Sequence, residues 1–220
     1  HSTSRRQRQM CIRDSYTPID GDIIDLQRFA ELGSQGVLLL MSDSTNAERK
    51  GFTMSEKNVG KVFERIFEET PRNRIMVATF SSNIHRIQQI INAAYMYGRK
   101  VAIIGRSMVN AVKTASELDY LWVPPRTLID INEIKNYRDE QLVIITTGSQ
   151  GETMSALSRI ANSEHKQVSV KPDDKIIISA SAIPGNEKNV IRVVNELLKK
   201  GADVAVSYTH LRAHETLRHL

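Results

Sequence analysis

The chain has 220 residues, 40% of them hydrophobic and 25% charged, with a formal net charge of +5. That size suits one ordinary domain, and a single cysteine, Cys11, excludes a disulfide framework. No apolar run is long enough to span a bilayer and no signal-peptide pattern is present, so a cytoplasmic domain with no membrane partner is expected.

In chain order, the first segment stands apart. Gln9–Ser15 (QMCIRDS) and, at the far end, Val206–Leu211 (VSYTHL) can both be back-translated from one nucleotide string, AGATGTGTATAAGAGACAG, read on opposite strands. That string looks like the end sequence of a transposase-based sequencing library. Residues 1–15 and 206–220 are therefore expected to be artefactual and unstructured, flanking the fold without joining it. They hold four Arg with one Asp and two Arg with one Glu, so the chain between them is close to neutral. The basic balance of the whole then gives no argument for a nucleic-acid partner. Cys11 and four of the six histidines also fall in these ends, which removes an apparent His/Cys metal cluster.

Within residues 16–36, Ile23, Leu26, Phe29 and Leu32 could form the packing side of a short helix. From residue 37 onward, apolar runs alternate with amphipathic stretches. Val37–Met41 (VLLLM) is expected as a buried strand. Thr53–Glu69 is expected as a helix with Val59, Val62, Phe63, Ile66 and Phe67 on one side, capped by Ser55 or Thr53. Arg74–Phe80 is the next strand, Asn83–Tyr97 the next helix, and Gly98 sits where a helix C-cap requires glycine.

The unit then repeats: strand Lys100–Gly105, helix Ser107–Leu118, a short extended piece Tyr120–Pro124, and a loop region Pro124–Arg138. Trp122 and Tyr120 read as core or rim packing. Strand Glu140–Thr146, helix Gly151–Ala161, strand Lys175–Ser179, helix Asn186–Lys200 and strand Ala202–Ala205 complete the pass. Continuous Val/Ile/Leu runs between helices indicate a doubly wound, mostly parallel α/β sheet over residues 37–205, with helices on both faces.

The polar residues gather just past the strands: Ser42–Asn46, Phe80–Arg86, Gly105–Ser107, Thr147–Glu152 and Ser179–Asn186. In a parallel sheet these turns share the carboxyl edge, where open α/β sheets bind ligands. Hydroxyl and glycine residues at helix starts leave backbone N–H groups open and the helix dipole favours anions there, so the row suits several phosphates, with Arg86 and Arg106 beside it. The same residue types are also ordinary N-caps. Asp43 could cap the following turn or orient a histidine; His85 could meet a phosphate or simply be a surface residue; His165 reads as solvated, and Glu152 as a first-turn helix residue. Neither GxGxxG after the first strand nor GxxxxGK[ST] occurs, which weakens a dinucleotide or NTPase reading. A small-molecule or nucleotide-binding α/β domain using the same edge, and an interaction module without ligand, remain alternatives.

The strings SDSTN (Ser42–Asn46), FTMSE (Phe52–Glu56), ATFSSNIHR (Ala78–Arg86), GRKVAIIGRSM (Gly98–Met108), TTGSQGETMSALSRIA (Thr146–Ala161) and SAIPGN (Ser181–Asn186) resemble, in order and spacing, the β-CASP domain of bacterial ribonuclease J. The resemblance covers nearly all of Tyr16–Ala205. It implies a metallo-β-lactamase-type ribonuclease that hydrolyses RNA with a zinc pair, 5′ to 3′ and internally, in RNA processing and decay. On this resemblance residues 16–36 leave a missing metallo-β-lactamase domain, the parent is a homo-oligomer, and the partner is single-stranded RNA. Asp43 is implied to orient a downstream histidine absent here. Ser81, Ser82, Asn83, His85, Arg86, Arg106, Ser107, Gly148, Ser149 and Gln150 are implied to face RNA. The family's His-x-His-x-Asp-His motif does not occur in this sequence, so no metal ligand is assigned to this chain. Zinc is expected only in the full-length parent, and this fragment is expected to be inactive.

Overall fold

The computed structural model describes residues 25–39, 41, 56–180 and 182–206. They belong to two compact units dividing between Val59 and Gly60. In the first, α1 (Leu26–Ser34) begins where the Asp25 carboxylate accepts the Arg28 N–H at 2.9 Å, an N-cap that satisfies one of the helix's open donors. Leu26, Phe29 and Leu32 occupy one side of it, at the expected spacing, and are exposed.

Val37, Leu38, Leu39 and Met41, expected within a buried strand, lie in no strand and are exposed. An apolar run becomes a strand only where a neighbouring ladder takes up its N–H and C=O groups, and the sheet is built from other segments. The Ser42–Asn46 turn with Asp43, the caps expected at Thr53 and Ser55, and nearly all of both end segments lie outside the described residues. One residue assigned to an end, Val206, pairs with Ile178 in the sheet.

The second unit begins inside α2 (Glu56–Glu69). It continues through β1 (Ile75–Ala78), α3 (Ile84–Met96), β2 (Lys100–Ile104), α4 (Arg106–Glu117), β3 (Leu128–Ile129), β4 (Leu142–Thr146), α5 (Ala156–Ala161), β5 (Lys175–Ile178), α6 (Glu187–Lys199) and β6 (Asp203–Val206). The six strands form one sheet in the order β3-β2-β4-β1-β5-β6, and every pairing is parallel. β1 and β4 are buried at every position, which is why they read as unbroken apolar runs in the sequence.

Successive side chains on a strand point to opposite faces. Met76, Ala78, Ala102, Ile104, Ile144, Ile176 and Ile178 pack with Leu157 and Ile160 of α5 and Val190, Val193, Val194 and Leu197 of α6. Their neighbours Val77, Val101, Val143 and Ile145 alternate to the other face, where α3 and α4 touch each other and β2 and bury Ile87, Ile90, Ile91 and Met108. Each fully buried aliphatic side chain contributes roughly 1.5–3 kcal/mol, so both layers are needed to offset chain entropy. α2 packs against α3: the Tyr97 hydroxyl donates to the Glu64 carbonyl at 3.2 Å and its ring lies 5.8 Å from that of Phe67.

The amino edge of the sheet is closed by charge. Arg74, 4% exposed, donates to both carboxylate oxygens of Asp174, 2% exposed, at 2.9 and 2.6 Å, and to the Ser169 carbonyl at 2.7 Å. Arg99 donates to the carbonyls of Asn73 and Thr70 at 2.7 and 2.6 Å and lies over the Phe67 ring. Burial lowers the Arg99 pKa, with Glu140 opposing the shift.

The expected loop Pro124–Arg138 contains β3 and a 3-10 helix at Ile131–Asn136, closed by a reciprocal Asp130–Glu133 capping box. Tyr120–Pro124, expected as an extended piece, forms no strand. Its Trp122 is braced at the rim instead, the Gln88 amide exchanging two 2.8 Å bonds with the Trp122 backbone while the indole meets Tyr95 edge-on at 6.3 Å. No helix among the described residues is long and apolar enough to cross a membrane.

Candidate nucleic-acid interface

Because every strand runs the same way, the turns that leave β1, β2, β4 and β5 lie along one edge. After β1, Asn83 accepts the Arg86 N–H at 3.0 Å and caps α3. That use of its side chain leaves Ser81, Ser82 and His85, none of which has a hydrogen-bond partner among the described residues; Ser82 and His85 are exposed and Ser81 is half-buried. Half-buried Arg86 donates to the carbonyl and, at 3.3 Å, the hydroxyl of Ser179, tying the β1 turn to the end of β5. Just past the end of β1, the Thr79 hydroxyl is buried without a partner among the described residues.

After β2, α4 begins at Gly105, which offers no side chain to cap it, so its first-turn N–H groups have no side-chain acceptor among the described residues. Arg106 and Ser107, the first two residues of the helix, are exposed. Neither has a partner among the described residues.

The turn after β4 is different. Gly148 has φ +110°, and a Cβ there would fall 2.4 Å from the Ser155 hydroxyl; Gly151 has φ +69°, and a Cβ there would meet the Asn189 backbone at 2.4 Å. Both the dihedral and the close approach demand glycine. This wraps Ser149 and Gln150 inward, at 2% and 3% exposure. The Gln150 side-chain oxygen accepts the Ile183 N–H at 2.7 Å, stapling the β4 turn to the β5 turn. Among the residues expected to face RNA, Ser82, His85, Arg106 and Ser107 are thus exposed, Ser81, Asn83 and Arg86 are half-buried, and Gly148, Ser149 and Gln150 are buried. Ser181 lies outside the described residues.

Two further readings change. Helix Gly151–Ala161 is only α5, because the left-handed Gly151 cannot be helical; Ser155 caps it, accepting the Ser158 N–H at 3.3 Å. Glu152 therefore sits in the loop, where its carboxylate accepts the Gln150 N–H at 3.2 Å. His165 is half-buried rather than solvated. Its Nδ1 accepts the N–H groups of Gln167 and Val168 at 3.3 and 3.2 Å. Burial, and then Arg159 alongside, holds its pKa below the usual imidazole range. A short polar string such as NSEHK carries no signal for this, since the turn that brings the Gln167 and Val168 N–H groups onto the ring is not written in residue polarity.

Among the described residues no group of three or more His, Cys, Asp and Glu could hold a metal ion. The edge offers hydroxyls, open amides and cations, a set that binds anions rather than metals.

Residues 72–197 match the family model described as ribonuclease J, beta-CASP domain. The chain is 50% identical over 190 residues to Ribonuclease J of Helicobacter pylori, covering 86% of this chain and 27% of that protein. It is 48% identical over 194 residues to Ribonuclease J of Thermus thermophilus (88% and 34%). Against Ribonuclease J 1 of Streptococcus pyogenes it is 48% identical over 202 residues (90% and 36%). The chain spans about a quarter to a third of the length of these curated relatives.

Proposed function

The chain belongs to the family of ribonuclease J β-CASP domains, and on that premise we propose that it is the portion of a ribonuclease that grips single-stranded RNA along the carboxyl edge of its sheet. One observation carries the reading: exposed Ser82, His85, Arg106 and Ser107 and the uncapped start of α4 gather on one edge of an all-parallel sheet, with no side-chain partners among the described residues. Backbone contacts of this kind position a phosphate chain without reading its bases. Arg86, Gln150 and the glycines act behind them, holding neighbouring turns in register.

Hydrolysis in this reading is the work of the whole zinc-dependent enzyme, by 5′ to 3′ and internal cleavage. The described residues do not fit a zinc pair, having no cluster of metal donors, so no chemical step is assigned to them. The 220-residue chain binds RNA and leaves it intact. Titration with single-stranded RNA across salt concentrations tests the first half: the logarithm of the affinity falls with that of salt by about 0.7 for each phosphate engaged, and absence of salt-dependent binding overturns the reading. Incubation of end-labelled RNA with the chain, with and without added zinc, tests the second. Metal-dependent cleavage by the chain would overturn it.

A further inference from the structure

β3 is only two residues long and pairs with Val101 and Ala102, so the last residues of β2 have no neighbour on that side. A cleft of about 820 Å³ opens there, between the start of α4 and the 152–167 segment. Its floor is apolar, including Ile104, Val109 and Ile131, and its rim carries Arg106, Arg159 and His165. This combination differs from the polar turns of β1 and β5.

Cations outnumber carboxylates on the rim. Arg106 and Arg159 make no ion pair among the described residues, and the one described bond of the Arg159 guanidinium, to the Glu164 carbonyl, is long at 3.5 Å. Glu152, the one carboxylate lining the cleft, is engaged by the Gln150 N–H. With Nδ1 of His165 accepting two backbone N–H groups, the neutral ring carries its proton on Nε2. The cleft therefore offers two guanidinium groups and an imidazole N–H, a positive excess over its single carboxylate, beside an apolar lining. An anion with a flat apolar body matches it, as a nucleotide does. No Phe, Tyr or Trp is in the lining to stack on a base, so such a cleft discriminates little between bases.

We propose that this cleft holds a nucleotide of the bound RNA, its phosphate on the Arg106 and Arg159 side and its base against the Ile104, Val109 and Ile131 floor. The proposal rests on the RNA reading above and extends the track outward from the central turns to the β2 border of the sheet. The test uses the 220-residue chain and a fluorescein-labelled twelve-nucleotide oligouridylate, read by anisotropy across salt. Arg159→Ala is expected to weaken binding about tenfold and to lower the salt slope by about 0.7, with Arg159→Lys restoring most of both. His165→Asn keeps an acceptor near the Nδ1 position and removes the Nε2 donor, and it identifies the His165 resonance in imidazole NMR spectra; in the unmutated chain that resonance shifts when the oligomer is added. If the unmutated chain binds the oligomer while Arg159→Ala leaves affinity and slope unchanged and the His165 resonance stays still, the cleft is not on the track and the edge reading stands. If the unmutated chain does not bind the oligomer at all, both fall.

Discussion

The two edges of the sheet are built from similar residues and put them to opposite uses. At the amino edge cations are paired: Arg74 with Asp174, Lys171 with Asp139 at 2.6 Å, Lys175 with Asp203 at 2.6 Å. At the carboxyl edge Arg106 and Arg159 form no ion pair among the described residues, and the turns are held by neutral clasps from Arg86 and Gln150 to backbone groups and by close-fitting glycines. A buried pair fixes geometry because neither member tolerates solitude. An unpaired cation at a rim adds little to stability and is free to meet an incoming anion. The amino edge is an anchor, and the carboxyl edge is kept available by it.

Asp174→Ala breaks the anchor most directly. It strands the Arg74 guanidinium in the interior and should cost about 3–5 kcal/mol in urea or thermal unfolding, whereas replacing both partners by apolar residues of similar volume should cost far less. Equal losses in the two variants would show that the charges themselves are not what closes this edge. Next in size, Gly151→Ala forces a Cβ into the Asn189 backbone at an unfavourable φ and should cost roughly 2 kcal/mol or more. Gly185→Ala, also at positive φ but with nothing within 4 Å, should cost less, about 1–2 kcal/mol from backbone strain alone. A reversed order would remove the case for close approach at the β4 turn.

Arg106→Ala should change unfolding free energy by less than about 0.5 kcal/mol while weakening RNA binding several-fold with no preference among sequences. A destabilised variant with unchanged affinity would move Arg106 from the open edge to the scaffold. The smallest effect is one of pH. The His165 pKa is lowered from its ordinary 6.5, first by burial and then by Arg159, so the folded chain takes up the proton less readily than the unfolded one. Its contribution to stability is full above the unfolded value and declines as pH falls toward the lower folded value. His165→Asn should flatten that part of the stability curve; an unaltered curve would show that the ring titrates alike in both states.

Much of the scaffold was legible because parallel strands buried on both faces leave continuous runs such as LVII and KIII in the sequence. A two-residue strand leaves no run at all, so β3 and the 3-10 turn after it were read as loop. Val37–Met41 shows the converse, an apolar string that lies in no strand. For the site, the shared edge followed from strand direction alone. Which side chains look outward did not: Ser149 and Gln150 sit in a polar string yet are buried, because the folding of that turn depends on Asn189 and Ile183 some 33 or more residues later. His165 differs: its partners Gln167 and Val168 are local, and it is the turn bringing their N–H groups onto the ring that residue types do not reveal.

The position of β1 at the centre of the sheet also sets a schedule. Arg74 and Asp174 are 100 residues apart, and β1 reaches its full set of ladder partners only when β5 arrives. At a synthesis rate of roughly 5–20 residues per second, the innermost strand spends on the order of 5–20 s outside the ribosome with an apolar surface uncovered, both flanks of its backbone open until β4 emerges and one until β5 does. A newborn chain of this kind is most vulnerable to sticking to its neighbours during that wait, and it is relieved of the danger when the acidic partner of Arg74 emerges.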